Sequence, residues 1–171
     1  AVVPIVDVVE IEGGETATCT GCAVFKGDKM IGELDHHEVR GMLFVKDKVE
    51  TGIFHVDVLG ISASVEIKKS KTKVTPELKE DGSIVFHIKV EEMIGLGDQT
   101  GSVNLADPQN APELMKAAKR ETEQEILNAV NKSKELGADI FGFGESINRK
   151  YPKQWQQMEE IWDELYQDIQ V

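Results

Sequence analysis

Ile61-Ser62-Ala63-Ser64-Val65-Glu66-Ile67 and Ile84-Val85-Phe86-His87-Ile88-Lys89-Val90 decide the fold. In the first run Ile61, Ala63, Val65 and Ile67 alternate with small or polar residues. In the second Ile84, Phe86, Ile88 and Val90 alternate with Val85, His87, Lys89 and Glu91. A period of two places one set of side chains on a core and the other in water, so each run reads as a half-buried strand. Between them lie the basic stretch Lys68-Lys69-Ser70-Lys71-Thr72-Lys73, then Pro76 and the turn Asp81-Gly82. Long twisted hairpins with one wet face accommodate all of this.

Upstream, Val2 to Ile11 is rich in β-branched residues and stops at Gly13-Gly14, which predicts a strand. Thr20 to Lys26 predicts a second strand, turning tightly at Gly27-Asp28 into Lys29 to Leu34. Asp35 is placed to cap a short helix through Glu38 and Arg40. Met42 to Val45 either continues that helix or starts a strand.

Downstream the period changes. Asp107-Pro108 has the form of a helix start, cap then proline. From Pro112 to Leu136 one stripe carries Ala118, Thr122, Ile126, Ala129, Val130 and Leu136. Lys119, Arg120, Glu123 and Glu125 lie off it. Gly137 ends the helix, and Ala138 to Gly144 reads as a compact apolar link. A last helix is predicted after Pro152, with Trp155, Met158, Ile161, Trp162 and Leu165 on one face and Glu159, Glu160, Asp163 and Glu164 on the other. Strands first and helices after predict an α+β fold, a mostly antiparallel β-sheet with helices packed on one face. No linker or repeat divides the chain, so residues 1–171 are expected to form a single domain.

The 171 residues, 40% apolar and 29% charged, suit a globular core. The net charge of −12 argues against nucleic acid as a partner, because a polyanion is held by clustered Lys and Arg. It argues equally against adhesion to an anionic bilayer. No apolar run approaches the roughly 20 residues that span a bilayer. AVVPIVDVVE carries Asp7 and Glu10 and has no positive n-region, so it is not read as a signal peptide; the chain reads as a piece of a longer protein.

Cys19 and Cys22 form a lone C-x-x-C. It precedes a β-like run rather than a helix, and no second ligand pair accompanies it, so packing is expected rather than redox or zinc chemistry. Asp35-His36-His37-Glu38 is the densest set of potential ligands. Adjacent helical histidines point about 100° apart and cannot readily share a metal. Gly142-Phe143-Gly144 lacks the third glycine and acidic residue of a dinucleotide site and reads as a bend docking Phe141 and Phe143. No nucleophile–base pair is visible. No catalytic residue, cofactor or metal is therefore assigned. Phe141, Phe143, Trp155 and Trp162 are expected to form a buried cluster.

Asp139, Phe141, Gly142, Phe143, Gly144, Arg149, Lys150, Pro152, Trp155 and Trp162 follow the order aDxFGFGxxxxRKxPxxWxxxxxxW. This resembles the C-terminal region of the Ger(x)C lipoproteins, the C subunits of nutrient germinant receptors in spore-forming bacteria. Gly21 to Lys26, Lys29 to Gly32 and Glu38 to Gly41 resemble that family's GxAVFKxDKxxG segment and the helix after it. The resemblance covers residues 20 to 171. Cys22 stands where the family often has another small residue, and the end at Val171 resembles the beginning of a final strand.

The resemblance implies a three-domain lipoprotein held at the outer face of the spore inner membrane by a lipidated cysteine upstream of this chain. It implies A and B receptor subunits as partners, a role in spore germination, and no enzyme activity. The signature residues would then serve structure or interaction. A small-ligand domain contacting the nutrient itself is the alternative. Arg149 and Lys150 are expected to anchor the acidic final helix, since residues 154–171 hold five carboxylates and no Lys or Arg.

Overall fold

The computed structural model describes all 171 residues, Ala1–Val171. Its longest strands are the two read first: β5 (Ile61–Leu78) and β6 (Ile84–Gln99), joined antiparallel through the turn at Asp81-Gly82. The basic stretch is not a loop between them. Lys69, Lys71 and Lys73 are exposed within β5, while Ile67, Thr72 and Pro76 are buried. Register shifts between Ala63/Val65 and Ile67/Lys69 bend the pair. Bulges of this kind sharpen a strand's local twist.

β4 (Gly52–Val58), which the sequence reading did not assign, pairs with the first half of β5. Its signal was present: Phe54, Val56 and Val58 alternate and are buried. Leu59 and Gly60, with φ of 52° and 77°, make the tight turn. Past the end of β4 the free edge of β5 is met by Asp47. Its Oδ1 accepts from the Thr72 amide at 2.7 Å, and its Oδ2 pairs with Lys71.

The strands divide into two three-stranded antiparallel sheets. The first holds β1 (Val2–Ile11), β2 (Gly14–Lys26) and β3 (Lys29–Leu34) in that order; the second is β4-β5-β6. β2 begins at Gly14 rather than near Thr20, because its first half pairs with the outer half of β1.

α1 (His36–Val45) follows the first sheet. Asp35 Oδ1 accepts from the amides of His37 and Glu38, each at 2.8 Å, and Glu38 Oε2 accepts from the Asp35 amide at 2.9 Å. This capping box confirms the predicted start, and Met42 to Val45 continues the helix. α2 (Ala111–Glu135) lies across α1. A Cβ at Gly41 would fall 2.1 Å from the Glu125 carbonyl oxygen, so the two helices touch at backbone distance. Asp107-Pro108 does not start α2. Asp107 opens the turn that leads into α2, its carbonyl accepting from the Asn110 and Ala111 amides at 2.9 Å.

The larger core joins Val65, Ile67, Ile84 and Phe86 of the second sheet to Ala117, Ala118 and Ile126 of α2 and to Phe143, Ile147 and Tyr166 beyond it. A smaller core joins Cys22, Val24 and Leu34 of the first sheet to Met42 and Ala129. The architecture is α+β, with α1 and α2 contributing to both cores.

The C-terminal region differs most from expectation. α3 (Phe143–Lys150) occupies the end of the predicted link and the residues after it. The final helix is broken into α4 (Pro152–Met158), a 3₁₀ turn (Glu159–Ile161) and α5 (Trp162–Asp168). Three residues wound at 3.0 rather than 3.6 per turn advance the chain about 60° further. Ile161 leaves the apolar stripe and is 45% exposed. Gln170 then pairs parallel with β6: its carbonyl accepts from the Phe86 amide at 2.8 Å and its amide donates to the Ile84 carbonyl at 2.9 Å.

Candidate functional site

The signature residues converge on one carboxylate. α2 ends at Glu135, and Gly137 with φ of 61° turns the chain back. Asp139 Oδ1 then accepts from the amides of Phe141, Gly142 and Phe143 at 3.2, 2.8 and 3.0 Å. Its Oδ2 accepts from the Gly144 amide at 2.8 Å and from Trp162 Nε1 at 3.2 Å. Backbone amides at the start of α3 have no intrahelical acceptor, and the helix dipole favours an anion there. One aspartate thus meets the opening turn of α3 and ties α5 to it.

The glycines make this wrapping possible. Gly142 has φ of 79°, in the left-handed region that favours glycine. A Cβ at Gly144 would lie 2.7 Å from Trp155 and 2.8 Å from Trp162, so only hydrogen fits beneath the indoles. Pro152 opens α4, where a missing amide donor is harmless.

Aromatic rings extend the clamp to the second sheet. Phe143 stacks on Phe86 at 4.1 Å between centroids and on Phe141 at 4.9 Å. Trp155 meets Trp162 edge-on at 5.4 Å, and Trp162 reaches Tyr166 at 5.9 Å. The Tyr166 hydroxyl bonds Ser133 Oγ at 2.5 Å. Burial pushes the Tyr166 phenol far above its ordinary range, partly offset by Ser133. Of the four rings expected to be buried, Phe143 is; Phe141, Trp155 and Trp162 are half-buried along the rim.

Arg149 and Lys150 do not anchor the acidic helix. Lys150 Nζ donates to the Pro76 carbonyl of β5 at 2.7 Å and lies 5.1 Å from the Tyr151 ring centre. Arg149 is exposed and makes no ion pair. The acidic helix is tied through Trp162 to Asp139 and through Tyr166 to Ser133, and its one ion pair is the exposed contact of Asp163 with Lys26 of β2 at 2.8 Å. Nothing in the local sequence linked residues so far apart.

A second polar cluster lies at the α1–α2 crossing. Glu125, buried on α2, accepts from Arg40 Nε at 2.6 Å and from Arg40 Nη2, and pairs with His37 Nδ1 at 2.9 Å. Ligand atoms of His37, Glu121 and Glu125 lie within 4.8 Å of one another. From sequence, His37 stood beside His36 as a candidate ligand; the fold instead brings His37 to residues of α2. A cation here would compete with the Arg40 guanidinium for Glu125, and a buried carboxylate held by arginine is already neutralised.

A third feature is a groove of about 910 Å³ between β6 and α2, walled by Ile88, Val90, Ile94, Ala118 and Ile126. Glu92 lines it, accepting from the Thr122 hydroxyl at 3.0 Å, while its buried Oε1 has no partner. Burial pushes the Glu92 carboxyl above its ordinary value. Cys19 and Cys22 are both free thiols on β2, the first exposed and the second buried. Burial raises the Cys22 thiol, which supports packing rather than a reactive thiolate.

These features define an α+β domain whose signature segment closes upon itself and welds its last helices to a sheet. Residues 20–171 match the family model described as Spore germination B3/GerAC like, C-terminal, and the chain belongs to that family. Spore germination protein KC of Bacillus subtilis (strain 168) is 31% identical over 150 residues, covering 85% of this chain and 36% of that protein. Spore germination protein B3 of the same organism is 26% identical over 168 residues, covering 96% and 44%. The crystal structure of the GerBC protein superposes with a TM-score of 0.77 at 22% identity, over 99% of this chain and 53% of that one. At that identity the likeness shows the fold. The chain spans less than half the length of the curated relatives it matches.

Proposed function

We propose that this chain is the non-catalytic C-terminal domain of a germinant-receptor C subunit, required for spore germination and acting by contact with the A and B subunits. On this reading the domain sits at the outer face of the spore inner membrane, held there by a lipid anchor upstream of this chain. Membership of the spore-germination family supports the setting. The observation that carries the mechanism is the Asp139 clamp, in which one carboxylate takes five donors from within the domain. A signature so engaged maintains a shape. Glu125 is likewise engaged internally, by Arg40 and His37. The domain then serves as a rigid body whose surfaces meet other subunits.

One observation favours a second reading, a domain that binds the nutrient itself. The β6–α2 groove combines apolar walls with the unpartnered Oε1 of Glu92, the mixture typical of small-molecule sites. Calorimetric titration separates the two. The first reading predicts saturable binding to the soluble part of the A subunit and none to nutrient amino acids. Micromolar binding of an amino acid, lost in Glu92→Ala, would favour the second.

A further inference from the structure

The outer half of the β1–β2 hairpin runs past the body of the protein. Near its base, Val2 faces Val24 and Pro4 faces Cys22, and Val24 and Cys22 are buried in the smaller core. Pro4 is already exposed, and past a bulge between Ile5 and Val6 the alternation of β1 carries Val6 and Val8 onto the same side as Val2 and Pro4. Opposite them stand Cys19 and Ala17. Here nothing covers the face: Val6 is 63% and Val8 69% exposed, and Cys19 and Ala17 are exposed as well.

Both edges of this ribbon are also open. β1 is the outer strand of its sheet, and β3 pairs only with residues 22–26 of β2. A two-stranded ribbon without a covering layer is marginally stable in water. An exposed apolar strip on such a ribbon gains stability from a layer that covers it.

We infer that the Val6–Val8–Ala17–Cys19 strip is the seat of the polypeptide that precedes this segment in the longer protein. Two observations and one general argument favour that occupant. The relatives carry more than half their length outside the matched segment, and the family model is described as C-terminal. That model begins at residue 20, which leaves β1 and the outer half of β2 outside it. An occupant on the same chain also docks at high effective concentration. Its chemistry follows from the ribbon. Residues 1–25 hold Asp7, Glu10, Glu12 and Glu15 and no Lys or Arg, so the occupant presents an apolar patch rimmed by basic side chains. The inference rests on the chain belonging to a longer polypeptide and does not depend on its role in germination.

Cys19 reports on the strip and Cys22 is the internal control. Iodoacetamide modification of both thiols is followed by peptide mass spectrometry in the full chain and in the 171-residue chain. Cys19 is expected to react about tenfold or more slowly in the native full chain. Val6→Lys with Val8→Lys should restore the fast rate there while Cys22 stays protected. Where Cys22 reacts fast in the short chain, that chain has opened, and the full-chain pair decides alone. Equally fast Cys19 labelling in the native full chain overturns the inference. Protection that disappears on dilution overturns it in favour of a second copy. Neither readout involves germination, so failure here leaves the proposed function standing.

Discussion

Trp162 donates its indole N–H to the Asp139 carboxylate, Nε1 to Oδ2 at 3.2 Å, across 23 residues of chain. That bond joins the start of α3 to the start of α5. It also explains why Gly144 must be glycine, since the Trp162 ring lies where a Cβ would stand.

Asp139→Ala should destabilise the domain by about 2–4 kcal/mol, because it removes a charged acceptor and orphans amides at a helix start. Asp139→Asn should cost less, since one amide oxygen still accepts. Urea unfolding followed by tryptophan fluorescence measures both, and a red shift in the folded baseline of Asp139→Ala is expected as Trp162 loosens.

Gly144→Ala should cost about 1–3 kcal/mol through overpacking against the indoles. Gly142→Ala should cost about 1–2 kcal/mol through left-handed strain alone. Near-UV circular dichroism separates the two causes. The tryptophan bands should collapse for Gly144→Ala and persist for Gly142→Ala.

Much of this was legible in the sequence. The alternation at Ile61–Ile67 and Ile84–Val90 pointed to the central hairpin, and Asp35 with Glu38 marked the start of α1. The signature residues also led to the right family. What they do was not legible, because Asp139 acts on amides, and amides carry no residue identity. The break at Glu159–Ile161 escaped for a related reason: Trp155, Ile161 and Trp162 fit one helical stripe, and only tertiary packing turns Ile161 outward. Local charge misled at Lys150 in the same way, since its acceptor is a carbonyl 74 residues upstream.

Lys150→Ala should lower stability by about 1 kcal/mol, the worth of its bond to Pro76. Arg149→Ala should leave the melting temperature unchanged. If Arg149→Ala nevertheless slows nutrient germination in spores carrying the full protein, Arg149 belongs to a docking surface. Loss of neither stability nor germination would leave Arg149 without a role.

Glu92→Gln should stabilise the domain at neutral pH, by about 1 kcal/mol. Burial raises the Glu92 carboxyl above its ordinary 4.5, helped by Glu125 and opposed by the Thr122 hydroxyl. Between pH 4.5 and its raised folded value the unfolded chain has lost this proton while the folded one retains it. Glu92 therefore lowers stability as pH rises from 4.5 towards its folded value. Thermal melts from mildly acidic to neutral pH should show the variant's advantage growing with pH and vanishing below 4.5.

The clamped domain is proposed as a working part of the germination receptor. The most direct test is nutrient-triggered germination of spores whose full-length protein carries Asp139→Ala, with subunit levels measured alongside. Germination is expected to fall together with the folded domain, and Asp139→Asn to give an intermediate loss. Normal germination in spores whose domain has demonstrably unfolded would contradict that role.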